Sequence, residues 1–216
     1  LKELKRLKKL TLNENDFSFS MPVFNGADNQ LTHLDLSNCR LKISDKTMFN
    51  NLKCLKHLDL SKVELDDQVL PGLFSELKQL DTLILYETEF TLAEDAFIHL
   101  ENLKELHFVK IEIPKESSNI FTPLKSLQKL VMGATTAFNY DAFSQVNNLR
   151  ELKLCNYATI DIDAKFFYQH PQLKSLDLSK LNSSESNSNK TNGKYCIDLT
   201  AIATLTALKS LNLSDN

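Results

Sequence analysis

Only four glycines and five prolines interrupt this 216-residue chain, too few for a disordered or low-complexity polymer. No apolar run approaches the roughly 18 residues that a membrane-crossing helix needs, and no signal peptide opens the sequence. A formal charge of −3 is too mild for a protein whose main partner is nucleic acid, which calls for a basic stripe. The four cysteines, Cys39, Cys54, Cys155 and Cys196, show no C-x-x-C or other zinc-ligand spacing. What the chain does have is 42% hydrophobic residues, enough for a continuous core, and a phrase that returns along its whole length.

That phrase is Leu-x-x-Leu-x-Leu, as in LTHLDLSNC at 31–39 and LKSLDLSKL at 173–181. Its middle leucines are Leu10, Leu34, Leu58, Leu83, Leu106, Leu130, Leu152, Leu176 and Leu211. They recur every 22 to 25 residues until a last step of 35. One turn of a solenoid needs about that length, and neighbouring turns bury its leucines. Leucines alternating with polar residues have the period of a strand buried on one face. In-register stacking predicts a parallel sheet of about nine strands. A phenylalanine then precedes another apolar residue by three positions at Phe49, Phe74, Phe97, Phe121 and Phe143. Spacing of three suits one face of a short helical or 3₁₀ turn, so these rings should stack along the back of the core.

The unit LTHLDLSNCRLKISDKTMFNNLKCL (31–55), with its Phe before Leu, resembles the roughly 24-residue leucine-rich repeat of animal secreted and cell-surface receptors, Toll-like receptor ectodomains above all. The resemblance implies an α/β right-handed solenoid, a horseshoe with its sheet on the concave face. It also implies a ligand-recognition module of an innate-immune or other cell-surface receptor, binding a protein or microbial ligand on its concave or lateral surface. It leaves room for a receptor dimer and points to an extracellular location. The alternative is a cytoplasmic leucine-rich scaffold, or a bacterial effector that binds a host protein. The chain opens inside one repeat and stops at Asn216 in the closing turn of another, and neither end carries a polar cap. Residues 1–216 are therefore expected to be a single solenoid from a longer chain, touching a membrane only through its missing parts.

The long last step places an insertion at 182–194, a Ser/Asn-rich stretch expected to form a loop. Glycosylation triplets begin at Asn182, Asn189 and Asn212, which lean toward a secreted chain. Cys39 sits in the turn after a strand, where a buried side chain is expected to bond the backbone. Cys155 should face out of the sheet, an odd place for a free thiol in an oxidising compartment.

Side chains between the leucines should face outward in columns about 4.8 Å apart. Two features stand out among them. His33, Asp35, His57 and Asp59 carry two imidazoles and two carboxylates on adjacent strands, a set that could bind a metal. Asp177 and Ser179 repeat the same Asp-x-Ser without histidine, so solvated side chains and no metal are expected. In mid-sheet, Ile84, Tyr86, Val109 and Val131 are apolar, with His107 among them and Gly133 leaving room beside Val131. With His57 and Asp59 at its border, this patch is the expected ligand-binding surface. The competing explanation is that β-branched residues simply suit strands. No nucleophile elbow or oxyanion loop accompanies Ser37 or Ser61, so neither an enzyme nor a cofactor is expected.

Overall fold

A computed structural model of the protein describes residues 4–16, 24, 30–65, 72–88, 92–109, 119–133, 140–155, 164–180 and 199–215. The expected loop at 182–194, with Asn182, Asn189 and Cys196, lies outside these residues.

In chain order the strands are β1 (Lys9–Thr11), β2 (His33–Asp35), β3 (Lys42–Ile43), β4 (His57–Asp59), β5 (Glu64–Leu65), β6 (Thr82–Tyr86), β7 (Glu105–Val109), β8 (Lys129–Gly133), β9 (Glu151–Cys155), β10 (Ser175–Asp177) and β11 (Ser210–Asn212). Nine of them form one parallel sheet in the order β1-β2-β4-β6-β7-β8-β9-β10-β11, while β3 and β5 pair separately. A 3₁₀ helix at Tyr140–Gln145 and two short helices, α1 (Ala164–Gln169) and α2 (Leu199–Ile202), lie between the later strands. The register sets like residues beside like: Leu34 on Leu58, Leu83 on Leu106, Leu106 on Leu130 and Leu152 on Leu176. These leucines are buried, and each fully buried one stabilises the fold by about 1.5–3 kcal/mol relative to exposure.

Three of the five expected phenylalanines, Phe97, Phe121 and Phe143, stack as a spine. Phe97 stacks on Phe121 with centroids 6.0 Å apart, and Phe121 on Phe143 at 4.7 Å. The spine continues edge-on into Phe166 at 5.9 Å. Offset stacks and edge contacts of this kind add about 0.5–1.5 kcal/mol beyond burial.

Backbone bonds couple each repeat to the next at both ends of a strand. On the leading side, one carbonyl accepts two successive amides of the following repeat: Thr32 O takes Lys56 N at 2.9 Å and His57 N at 3.0 Å. On the trailing side the direction reverses, and Asn38 N donates forward to Ser61 O at 2.7 Å, as Lys62 N does to Tyr86 O. A left-handed residue also sits one to three positions past six of these strands. Glu14, Asn38, Lys62, Glu87, Lys180 and Asp215 all have φ between 52° and 61°. None is glycine, although L-residues pay about 1–2 kcal/mol for this conformation.

Side chains close the same turns. Asp35, Asp59 and Asp177 each accept the amide and the hydroxyl of the serine two residues on, with Oγ–Oδ1 distances of 2.6–2.7 Å. Cys39 is buried and its Sγ donates to Leu12 O of the preceding repeat at 3.0 Å, the turn role expected of it. On the other side of the repeat, Asn102 and Asn148 donate to Lys78 O and Lys125 O, each at 2.8 Å. Among the described residues, no helix is long and apolar enough to cross a membrane.

Candidate binding face of the sheet

Parallel register turns the outward residues into columns. One column runs His33, His57, Thr82, Glu105, Lys129, Glu151. The next runs Asp35, Asp59, Ile84, His107, Val131, Lys153, Asp177, Asn212, and a short third runs Tyr86, Val109, Gly133, Cys155.

At mid-sheet these columns meet in a polar chain. Tyr86 Oη lies 3.0 Å from His107 Nδ1, and His107 Nε2 lies 2.7 Å from Glu105 Oε1. Lys129 Nζ reaches the same carboxylate oxygen from the next strand. Burial holds the His107 ring below its ordinary pKa in spite of the Glu105 bond, so the imidazole is neutral at pH 7. A neutral ring has one donor. Glu105 accepts it at Nε2, which leaves Nδ1 to accept the Tyr86 hydroxyl. Burial, and then the charges of Cys155, Glu105 and Asp59, raise the Tyr86 phenol, which keeps it a donor. For Glu105, burial alone would raise the carboxyl, but the bonds from Lys129 and His107 outweigh it and hold the group below its usual range. The Tyr86 ring stands edge-on to His107, 85° between planes and centroids 5.6 Å apart. The aromatic is thus fixed at both its edge and its tip.

The other residues expected to bind fall into two groups. Ile84 is half-buried, in register between Asp59 and His107. Val109 and Val131, by contrast, are only 7% and 5% exposed. The apolar surface therefore shrinks to Ile84 and Tyr86. Gly133 leaves no room beside Val131. A Cβ there would lie 2.4 Å from Cys155 O and 2.7 Å from Cys155 Sγ. The space that the missing side chain vacates is filled by the next strand.

His57 stacks on His33, centroids 5.7 Å apart and planes 26° from parallel. Asp59 is tied into its own turn by Ser61, whose hydroxyl donates to the carboxylate and not to a histidine. Among the described residues, no group of three or more His, Cys, Asp or Glu is placed to hold a metal. Cys155 is half-buried, and burial pushes its thiol up, with Lys153 opposing and Asp177 adding to the shift. Asn212 bonds Ser214 N through Oδ1 at 3.1 Å, whereas a sugar would attach at Nδ2.

Glu105 and Lys129 were not among the expected site residues, although they anchor His107. Their signal was in the sequence: opposite charges at the same strand position, one repeat apart.

A sheet face whose outward side chains are set by repetition, with one ordered aromatic-polar cluster in mid-array, defines a repeat protein that presents a surface. The chain belongs to the leucine-rich repeat family: the model for "Leucine rich repeat" matches residues 29–90, and that for "BspA type Leucine rich repeat region (6 copies)" matches 67–196. None of the curated proteins matches the chain significantly. Similar solved structures include internalin C2 from Listeria monocytogenes, with 21% identity, 86% of this chain and 72% of that chain covered, and a TM-score of 0.63. Internalin F of the same organism has 16% identity over all of this chain and 63% of its own, also with a TM-score of 0.63. TLR13, solved as a complex with ssRNA13, has 20% identity over all of this chain and 37% of its own, with a TM-score of 0.59. At these identities the likeness is one of fold.

Proposed function

We propose that this chain is a ligand-recognition module whose partner docks on the outward face of β6, β7 and β8, and that it serves in a secreted or cell-surface receptor ectodomain of the innate-immune kind. The observation that carries the docking site is the Tyr86–His107–Glu105–Lys129 chain. Tyrosine and other aromatic anchors dominate protein interfaces, and one held in place before binding loses little conformational entropy on docking. The partner is a protein or microbial ligand, and the receptor reading includes a dimer. Nucleic acid is not the main partner in this reading: the net charge is −3, and Lys129 and Lys153 on this face sit beside Glu105 and Asp177 and do not form a basic stripe.

A second reading, an intracellular scaffold or bacterial effector, is favoured by the free thiols of Cys39, Cys54 and Cys155. Cys39 is buried and the raised pKa of Cys155 keeps it a thiol, so these two are poorly reactive and fit an oxidising compartment as well.

The docking site is tested with a photo-crosslinking amino acid at Tyr86 and, for comparison, at Tyr168, which is 62% exposed on α1. The Tyr86 position should capture a partner that Tyr168 does not, and titration of that partner should weaken by more than about 1 kcal/mol in Tyr86→Ala. Equal capture at both positions, or an unchanged affinity, would move the site off the sheet. Expression in a secretory host then separates the two locations, since a glycan on Asn212 supports the ectodomain.

A further inference from the structure

Phe167, His170 and Leu173 repeat the spacing of Phe49, Leu52 and Leu55, and their backbone bonds repeat too. His170 N donates to Phe167 O at 3.1 Å as Leu52 N does to Phe49 O, and Leu173 N donates to His170 O as Leu55 N does to Leu52 O. Histidine therefore occupies a position that is Leu52, Leu77, Leu100, Leu124 and Val146 in earlier repeats and Leu205 in the following one, all buried. His170 is itself fully buried, with its ring 4.8 Å from Phe166, and among the described residues neither Nδ1 nor Nε2 has a hydrogen-bond partner. A polar ring with both nitrogens orphaned is a costly replacement for leucine.

We propose that His170 makes the repeat of β10 an acid-sensitive joint in the array: protonation of the buried imidazole opens the packing of α1 and loosens β10 and β11 from the strands before them. This inference is independent of the partner proposed above. Among the described residues, nothing is placed to pair with an imidazolium there. α1 packs against the 3₁₀ helix and against α2. On α1, Phe166 meets the His170 ring and Phe167 is buried beside it in sequence, while Tyr168 is exposed; the buried side chains of the 3₁₀ helix include Ala142 and Phe143, and those of α2 are Ala201 and Ile202. The remaining ionisable residues of these elements, Lys165, Tyr140 and Asp141, have side chains outside the described ones. Burial pushes the ring down to about 4, so in the folded state the neutral form is strongly preferred. Because the folded value lies below that of the unfolded chain, the stability is fully present above about pH 6.5 and is lost as pH falls toward 4.

The test is urea unfolding of the wild type and of His170→Leu at pH 7.5 and pH 5, with the His170 imidazole followed by NMR in the folded protein. The wild type should lose about 30-fold in its folded-to-unfolded ratio beyond any loss in the leucine variant, which keeps the contributions of the other histidines. The imidazole should remain neutral at pH 5. Equal pH dependence in the two proteins, or a ring that titrates near 6.5 while folded, overturns the proposal. Should His170→Leu fail to fold, the imidazole titration of the wild type decides alone.

Discussion

Gly133→Ala places a methyl group where the structure has another strand. The new Cβ would meet the carbonyl oxygen of Cys155 at 2.4 Å and its carbon at 3.3 Å. That oxygen belongs to the backbone of β9, paired in register with β8, so it cannot swing away as a side chain would. Relief requires the two strands to part locally or the sheet to shear, and overpacking of this kind costs about 1–3 kcal/mol. Alanine recovers about 0.5–1 kcal/mol through the smaller entropy of the unfolded chain, for a net loss of about 1 kcal/mol at the middle of both ranges. In a chain of this length that lowers the melting temperature by about 2–4 °C per kcal/mol. Removing Sγ as well, in Gly133→Ala with Cys155→Ala, relieves the 2.7 Å contact but not the backbone clash, so rescue should be partial. Urea unfolding of the wild type and the two variants is the assay. A Gly133→Ala protein as stable as the wild type, or one fully rescued by Cys155→Ala, would refute the reasoning that backbone proximity selects glycine here.

Other substitutions probe the remaining links. Leu106→Ala, at a fully buried position between Leu83 and Leu130, should lose about 2–5 kcal/mol in denaturant unfolding; a loss below about 0.5 would mean the register is wrong. Tyr86→Phe should lose about 0.5–1.5 kcal/mol, since it leaves His107 Nδ1 without its donor, and NMR should show the His107 tautomer becoming mixed. Asp177 is held below the usual carboxylate range because its bonds to Ser179 and Lys153 outweigh the effect of burial. A lowered folded value gives stability that is present above about pH 4 and lost in acid, so Asp177→Asn should flatten the acid limb of the unfolding curve; an unchanged limb would rule that out. Lys62→Gly, at φ 59°, should raise stability by up to about 1 kcal/mol, and a clear loss would show that the left-handed turn is not strained.

Much of this was written plainly in the chain. The nine leucine phrases fall on strands, and the spacing of Phe97, Phe121 and Phe143 became a stack, because both depend only on repetition along the sequence. Cys39 was legible for the same reason. The burial of Val109 and Val131 was not, since alternation tells which way a side chain points but not how high its neighbours stand. The Tyr86–His107 bond depends on one strand's tip meeting the next, a distance that a column diagram omits. His170 was readable but hidden: Phe167 continues the phenylalanine phase, and the residue three positions on breaks the apolar rule. The left-handed turns carry no glycine, so composition gave no sign of them.

Amides that reach backward at the start of a strand and forward at its end make each repeat both donor and acceptor to its neighbours. A whole repeat can be removed or duplicated and every such bond finds an equivalent partner, whereas a cut of half a repeat leaves donors facing side chains. The array can therefore lengthen or shorten in steps of one strand, about 4.8 Å of face at a time, without redesign of its core. A partner's footprint on such a surface can be widened by copying, while its chemistry is changed one column residue at a time.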